Sequence, residues 1–223
     1  MIKSAKKKDI DILETKGLWK ASSFIRKTAE KLERKNQPVS LGIIKTAHSF
    51  IFELSPSKTM GGKYRGSGVN NYMKRIDGST LHFAHWTKIP EQTAALEYDI
   101  RALTSNPPPL NTRDGLTLFF QQLAALIHRF VRVHPFENGN GRVSRLLTDL
   151  ILLRVGLSES PIAADEINKQ KYKKAMLLAD NGDLRALEYI IQRGVVNAQE
   201  KKIKEKEKAL RALSNKKKAH KKK

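Results

Sequence analysis

Two stretches with helical apolar spacing, separated by a short glycine-rich segment, constrain this chain more than any other feature. Leu116, Phe119, Phe120, Leu123, Leu126, Ile127 and Phe130 recur at helical intervals before the segment, and Val143, Leu146, Leu147, Leu150 and Ile151 do so after it. Two amphipathic helices must therefore meet at His134-Pro135-Phe136-Glu137-Asn138-Gly139-Asn140-Gly141-Arg142-Val143-Ser144-Arg145. Asn-Gly pairs can instead mark a β-hairpin, but hairpin flanks alternate apolar and polar residues and these do not.

With the second helix starting near Asn140, the N–H groups of Gly139, Asn140 and Gly141 are expected to be unpaired donors at the positive end of a helix dipole, an anion cradle. Arg142 and Arg145 lie three residues apart and share a helix face, so both can reach oxygens further along one polyphosphate. His134 closes the preceding helix, where a near-neutral imidazole can take a proton from an attacking hydroxyl. Taken alone, such a histidine is equally a cap for the helix's last carbonyls.

His-Pro-Phe-x-x-Gly-Asn-Gly-Arg-x-x-Arg resembles the signature of the Fic (filamentation induced by cAMP) family, and the resemblance extends over most of residues 40–195. Gly62-Lys63-Tyr64-Arg65 is similar to the segment before that family's target-docking flap, and Phe83 to Glu91 to the stretch after it. Tyr172, Ala175, Ala179 and Gly182-Asp183-Leu184 resemble its closing helices. The resemblance implies a mostly α-helical bundle with a small β-hairpin flap, acting as a protein nucleotidyltransferase that moves AMP from ATP to a Ser, Thr or Tyr hydroxyl. It makes His134 the general base and Phe136 a core anchor. Gly139, Asn140 and Gly141 become the anion hole, and Arg142 and Arg145 the partners of the β- and γ-phosphates. The target would dock on the flap near residues 66–85. A phosphotransferase would result if the nucleotide lay the other way round.

Two departures from the family pattern stand out. Where the family commonly carries Asp or Glu to help hold Mg2+, this chain has Asn138, which implies weak metal binding carried mostly by the phosphates. Many members also carry a Ser/Thr-x-x-x-Glu-Gly/Asn inhibitory helix. Ser22-Ser23-Phe24-Ile25 is followed by Arg26, Ser49 and Glu53 by Leu54, and Thr87 and Glu91 by Gln92, so no clean match occurs. The implied restraint is an antitoxin-like protein acting in trans on Arg145.

The remainder of the chain reads as scaffold and appendages. Residues 1–39 form a helical extension, with a helix over 21–35 capped by Ser22 or Ser23; residues 40–195 form the main domain; and 196–223 a basic tail. Ser40 is expected to cap a helix to about Leu54, and Asp114 to start the helix before the motif, which follows the linker Asn106-Pro107-Pro108-Pro109. The motif helix should end near Gly156, with a further connection at Ser160-Pro161 and another at Asn181-Gly182. Ser55 to Gly78, with its glycines and turn pairs, is the only strand-like excursion, suited to pairing with an extended target segment.

The absence of cysteine excludes disulfides, thiolate catalysis and cysteine-ligated zinc. No apolar run approaches membrane-spanning length and the basic start lacks an apolar core, so a cytoplasmic location is expected. The formal charge is +21, and residues 199–223 hold twelve Lys/Arg against three acids. Val195 to Leu213 should extend the last helix, while Lys216 to Lys223 should be disordered and bind polyanions weakly. A nucleic-acid-binding protein is the rival class, although neither a recognition-helix signature nor an aromatic platform accompanies the lysines.

Overall fold

The computed structural model describes residues 7–160 and 166–220. Among these are seven α-helices and one two-stranded antiparallel sheet, so the architecture is the expected helical bundle with a small hairpin. The elements are α1 (Lys7–Arg34), α2 (Leu41–Phe52), β1 (Tyr72–Lys74), β2 (Thr80–His82), α3 (Ile89–Ser105), α4 (Arg113–Val133), α5 (Asn140–Arg154), α6 (Glu166–Asp180) and α7 (Arg185–His220).

The motif helix α5 is the centre of the bundle. Val143, Leu146, Leu147, Leu150, Ile151 and Leu152 are buried, as are Ser144 and Thr148, so apolar contacts surround the helix nearly all round. It packs against α1, α2, α3 and α4. Its C-terminus is fixed by Arg154, whose guanidinium donates to the Gln37 carbonyl and to Asn36 Oδ1 in the α1–α2 connection. α4 presents Phe119, Phe120, Leu123, Leu126, Ile127 and Phe130 to the same core, with Leu116 half-buried at its margin.

Helix starts follow local chemistry. Ser40 caps α2, its Oγ accepting from Gly42 N at 3.0 Å, although the helix stops at Phe52, two residues short of Leu54. α4 starts at Arg113, one residue before the expected Asp114, because Thr112 Oγ1 accepts from Gly115 N. α5 ends at Arg154, just before Gly156. Asn181-Gly182 does separate α6 from α7, whereas Pro161 lies outside the described residues.

Three expectations are corrected. Ser22 and Ser23 cap nothing: α1 runs through them from Lys7, because Gly17, Ala21, Ile25, Ala29 and Leu32 form a buried stripe at helical spacing that docks on α2 and α5. The hairpin is shorter and later than the Ser55–Gly78 excursion, pairing Tyr72 with His82, Met73 with Leu81 and Lys74 with Thr80. The last helix continues to His220, through the lysines expected to be disordered from 216. Good helix formers fill that stretch and neither Gly nor Pro interrupts it. Lys221 to Lys223 lie outside the described residues.

Candidate active site

The loop between α4 and α5 is held closed by its own asparagine. Asn140 Oδ1 accepts from Phe136 N at 2.9 Å and its Nδ2 donates to Phe136 O at 2.7 Å, with the side chain fully inside the fold. The Asn140 amide thus satisfies both main-chain groups of the residue four positions earlier and folds the loop into a compact ring. Phe136, fully buried, anchors the ring from below by stacking on His48 at 3.9 Å between ring centres. His48 Nδ1 accepts from Gly62 N at 2.8 Å, which leaves Nε2–H to donate to Asn138 O at 3.0 Å. Burial lowers the His48 pKa to about 4, so the neutral ring acts as a structural bracket.

His134 sits at the C-cap of α4 in the left-handed region, φ 50° and ψ 58°. Its ring stacks on Phe83 at 3.7 Å, and Nδ1 lies 3.2 Å from the carbonyl of Val131. Only a protonated Nδ1 can donate to that carbonyl, so Nε2 carries the lone pair. Burial, with Arg65 adding a smaller effect in the same direction, lowers the ring's pKa to about 4, and the imidazole is a free base at neutral pH. Nδ1 therefore serves the helix cap, and Nε2 is the nitrogen left able to take up a proton.

Arg65 secures that arrangement. The buried guanidinium donates through Nε to His134 O at 2.7 Å, through Nη1 to Val69 O and through Nη2 to Val133 O and Ala84 O, while its main-chain N donates to Pro135 O. Tyr64 forms an isolated antiparallel bridge with Phe136. Asn71 Nδ2 donates to the carbonyls of Phe136 and Glu137, and Phe83 N donates to Asn71 O. The foot of the hairpin and the motif loop are therefore one hydrogen-bonded unit.

The cradle differs from expectation at its first donor. Gly139, the N-cap of α5 at φ 78°, donates its N–H to Asn138 Oδ1 at 2.7 Å and is not free. Asn140 and Gly141 open the helix, so their N–H groups have no acceptor within it. Glycine is required at 139 by its positive φ and by space, since a Cβ there would lie 3.0 Å from the Phe52 ring.

Arg145 is largely buried beside the cradle: a Cβ built on Gly141 would lie 4.0 Å from its Nη1. It makes no ion pair or hydrogen bond with another described residue, and burial lowers its pKa. Arg142 is engaged instead. Its Nη1 lies 2.5 Å from Glu14 Oε2, and its guanidinium lies 5.0 Å from the Phe52 ring centre. Glu14 reaches the site from α1, a contribution that no local motif announced because the two residues are 128 positions apart.

The donor set does not fit a protein-held magnesium. A small divalent cation needs several oxygen ligands, and Asn138 offers one neutral oxygen already accepting from Gly139. Glu137 is exposed, and among the described residues no cluster of three His, Asp or Glu could hold a metal.

Comparison with known proteins adds a family and a fold. A sequence profile described as "Fic/DOC family" matches residues 38–152. The "Protein adenylyltransferase Fic" of Drosophila melanogaster is 40% identical over 77 residues, which are 34% of this chain and 15% of that protein. That of Aedes aegypti is 35% identical over 77 residues, again 34% of this chain and 15% of the relative. A Fic domain containing signaling protein from Bacteroides thetaiotaomicron superposes with a TM-score of 0.64 at 22% identity, covering 87% of this chain and 74% of that one. Fic-1 from C. elegans gives 0.63 at 21%, covering 96% and 55%. A Bartonella quintana N-terminal Fic domain with bound ADP gives 0.54 at 16%, covering 79% and 83%. At these identities the structural likenesses carry the fold alone.

Proposed function

Since the chain belongs to the Fic/DOC family, we propose that it is a protein adenylyltransferase, moving AMP from ATP to a hydroxyl of a target protein. The observation that carries this reading is the unpaired, largely buried Arg145 beside the N-terminus of α5, on the same loop unit as a neutral His134. A largely buried cation that makes no ion pair and feels only the more distant Asp149, next to helix N–H groups with no acceptor in the helix, suits an anion of several negative charges. The ADP bound by the Bartonella quintana neighbour and the name of the insect relatives favour a nucleotide as that anion.

In this mechanism Nε2 of His134 takes the proton of the target hydroxyl as its oxygen attacks the α-phosphorus. The new O–P bond forms as the bond to the bridging oxygen breaks, and pyrophosphate leaves. The N–H groups of Asn140 and Gly141 stabilise charge on the phosphate oxygens, and Arg145 holds the departing end, with Arg142 joining once Glu14 yields it. The hairpin presents the target's hydroxyl-bearing segment by strand addition near residues 66–85. Restraint by a separate acidic protein would act on Arg145.

Incubation of the chain and its His134→Ala variant with ATP labelled at the α- or the γ-phosphate tests the reading. Transfer of α-label alone to protein, lost in the variant, is the expected result. Transfer of γ-label would make the protein a kinase and overturn it.

A further inference from the structure

A groove runs between the hairpin turn and α6, and its lining is apolar and basic apart from Gln170. Ile76 from the turn and Ile167 from the start of α6 are 46% and 68% exposed, and they face a space flanked by Lys74, Lys171, Lys173 and Lys174. No carboxylate lines it among the described residues. Lys74 is held in place by donating to Thr80 Oγ1 at 2.7 Å.

The groove is also preformed. Arg75, beside Ile76, places its Nη2 2.5 Å from Asp180 Oδ2 at the far end of α6. The Asp180 carboxylate is almost completely buried, and His128 Nε2 lies 2.9 Å from its other oxygen. This polar knot joins the hairpin turn to α6 and α4, so the groove does not depend on a partner for its shape. Arg75 shares the single Asp180 carboxylate with Arg132, whose Nη1 lies 3.3 Å from Oδ1, so the charge facing the groove comes chiefly from the four lysines.

Resting on the transferase reading, we propose that this groove binds an acidic, apolar-studded segment of the target protein and so selects the substrate. Charge complementarity gives the carboxylates, and the exposed isoleucines give the intervening apolar side chains. β2 runs from the turn to Phe83, which stacks on His134. The three β2 residues, about 10 Å at about 3.3 Å each, separate the turn from Phe83, so the acidic cluster lies at least three residues from the modified hydroxyl.

The test uses the full chain and a fluorescein-labelled twelve-residue peptide alternating Glu and Leu, followed by anisotropy at physiological salt. Lys171→Glu/Lys174→Glu should weaken binding at least tenfold and Ile167→Ser several-fold, both with unchanged binding of ATP. A peptide with Ser in place of Leu should bind as weakly as the Ile167→Ser variant binds the original. Equal binding by all the proteins would place the attraction on the basic tail and overturn the proposal. Tighter binding of a twelve-nucleotide RNA that is lost in the same lysine variants would overturn it too, in favour of a nucleic-acid groove. The peptide experiment needs no nucleotide turnover, so groove binding without any α-label transfer would sink the transferase reading and leave the groove.

Discussion

At the scale of single residues, His134 and Asn140 perform separate tasks. The bond to Val131 fixes the His134 tautomer, and burial against Phe83 keeps water from the ring, which lowers its pKa to about 4 although the Val131 bond pulls the other way. A proton titration followed through its Cε1–H resonance, identified by its loss in His134→Ala, should inflect near pH 4. An inflection near 6.5 would mean that the ring is solvated and the tautomer unfixed. Asn140 is a staple whose value lies in two bonds to one buried residue. Asn140→Ala strands the N–H of Phe136 and leaves its C=O with the bond from Asn71 alone, at a cost of about 1–3 kcal/mol for the unsatisfied donor. Urea unfolding should show a loss of that order, together with loss of nucleotide binding; unchanged stability would show that water replaces the amide.

At the scale of elements, α1 is the least legible part of the sequence and the most consequential for the site. Gly17 lets it lie directly on α2: a Cβ there would meet Phe50 O at 2.4 Å and Ile51 O at 2.5 Å. That approach is what brings Glu14 to Arg142. The pair is mostly shielded from water, so it competes effectively with any phosphate arriving at the same guanidinium. Glu14→Ala should therefore tighten binding of a fluorescent ATP analogue several-fold; weaker binding would show that Glu14 orients Arg142 for the ligand. Gly17→Ala should lower stability by about 1–3 kcal/mol through overpacking and undock the helix, seen as faster amide exchange across residues 7–34.

The same contrast accounts for what the sequence disclosed. The helices flanking the loop were legible because their apolar spacing is local and α5 starts at its glycines; the placing of His134, Asn140 and Arg145 followed from that. α3 carried a readable signal, Pro90 at its first turn and buried Ile89, Thr93, Leu96, Ile100 and Leu103, but its mixed polarity left it unassigned. Glu14, His48, Arg65 and Asn71 were invisible as site residues because their partners lie 65 or more positions away. A local pattern fixes a helix, and only the packed fold shows which side chains meet at its end.

Across the whole molecule, the histidines that build the site also set its tolerance of acid. His48 and His134 both have pKa values lowered to about 4 by burial, against an ordinary value of 6.5. Below pH 6.5 the unfolded chain takes up these protons and the native chain does not, so stability falls with pH from about 6.5 and the loss is complete below 4. Each group accounts for on the order of 3 kcal/mol, less for the half-buried His134. Asp149 acts in the opposite sense, because burial raises its pKa from 3.8 to about 6 and the native state holds that proton more tightly as pH falls. Two groups outweigh one, and the net expectation is a falling melting temperature between pH 6.5 and 4. His48→Gln removes one titration but keeps a donor and an acceptor for Asn138 and Gly62, so its melting temperature should fall less steeply over that range. An equally steep fall in the variant would place the acid sensitivity elsewhere than in the ring under Phe136.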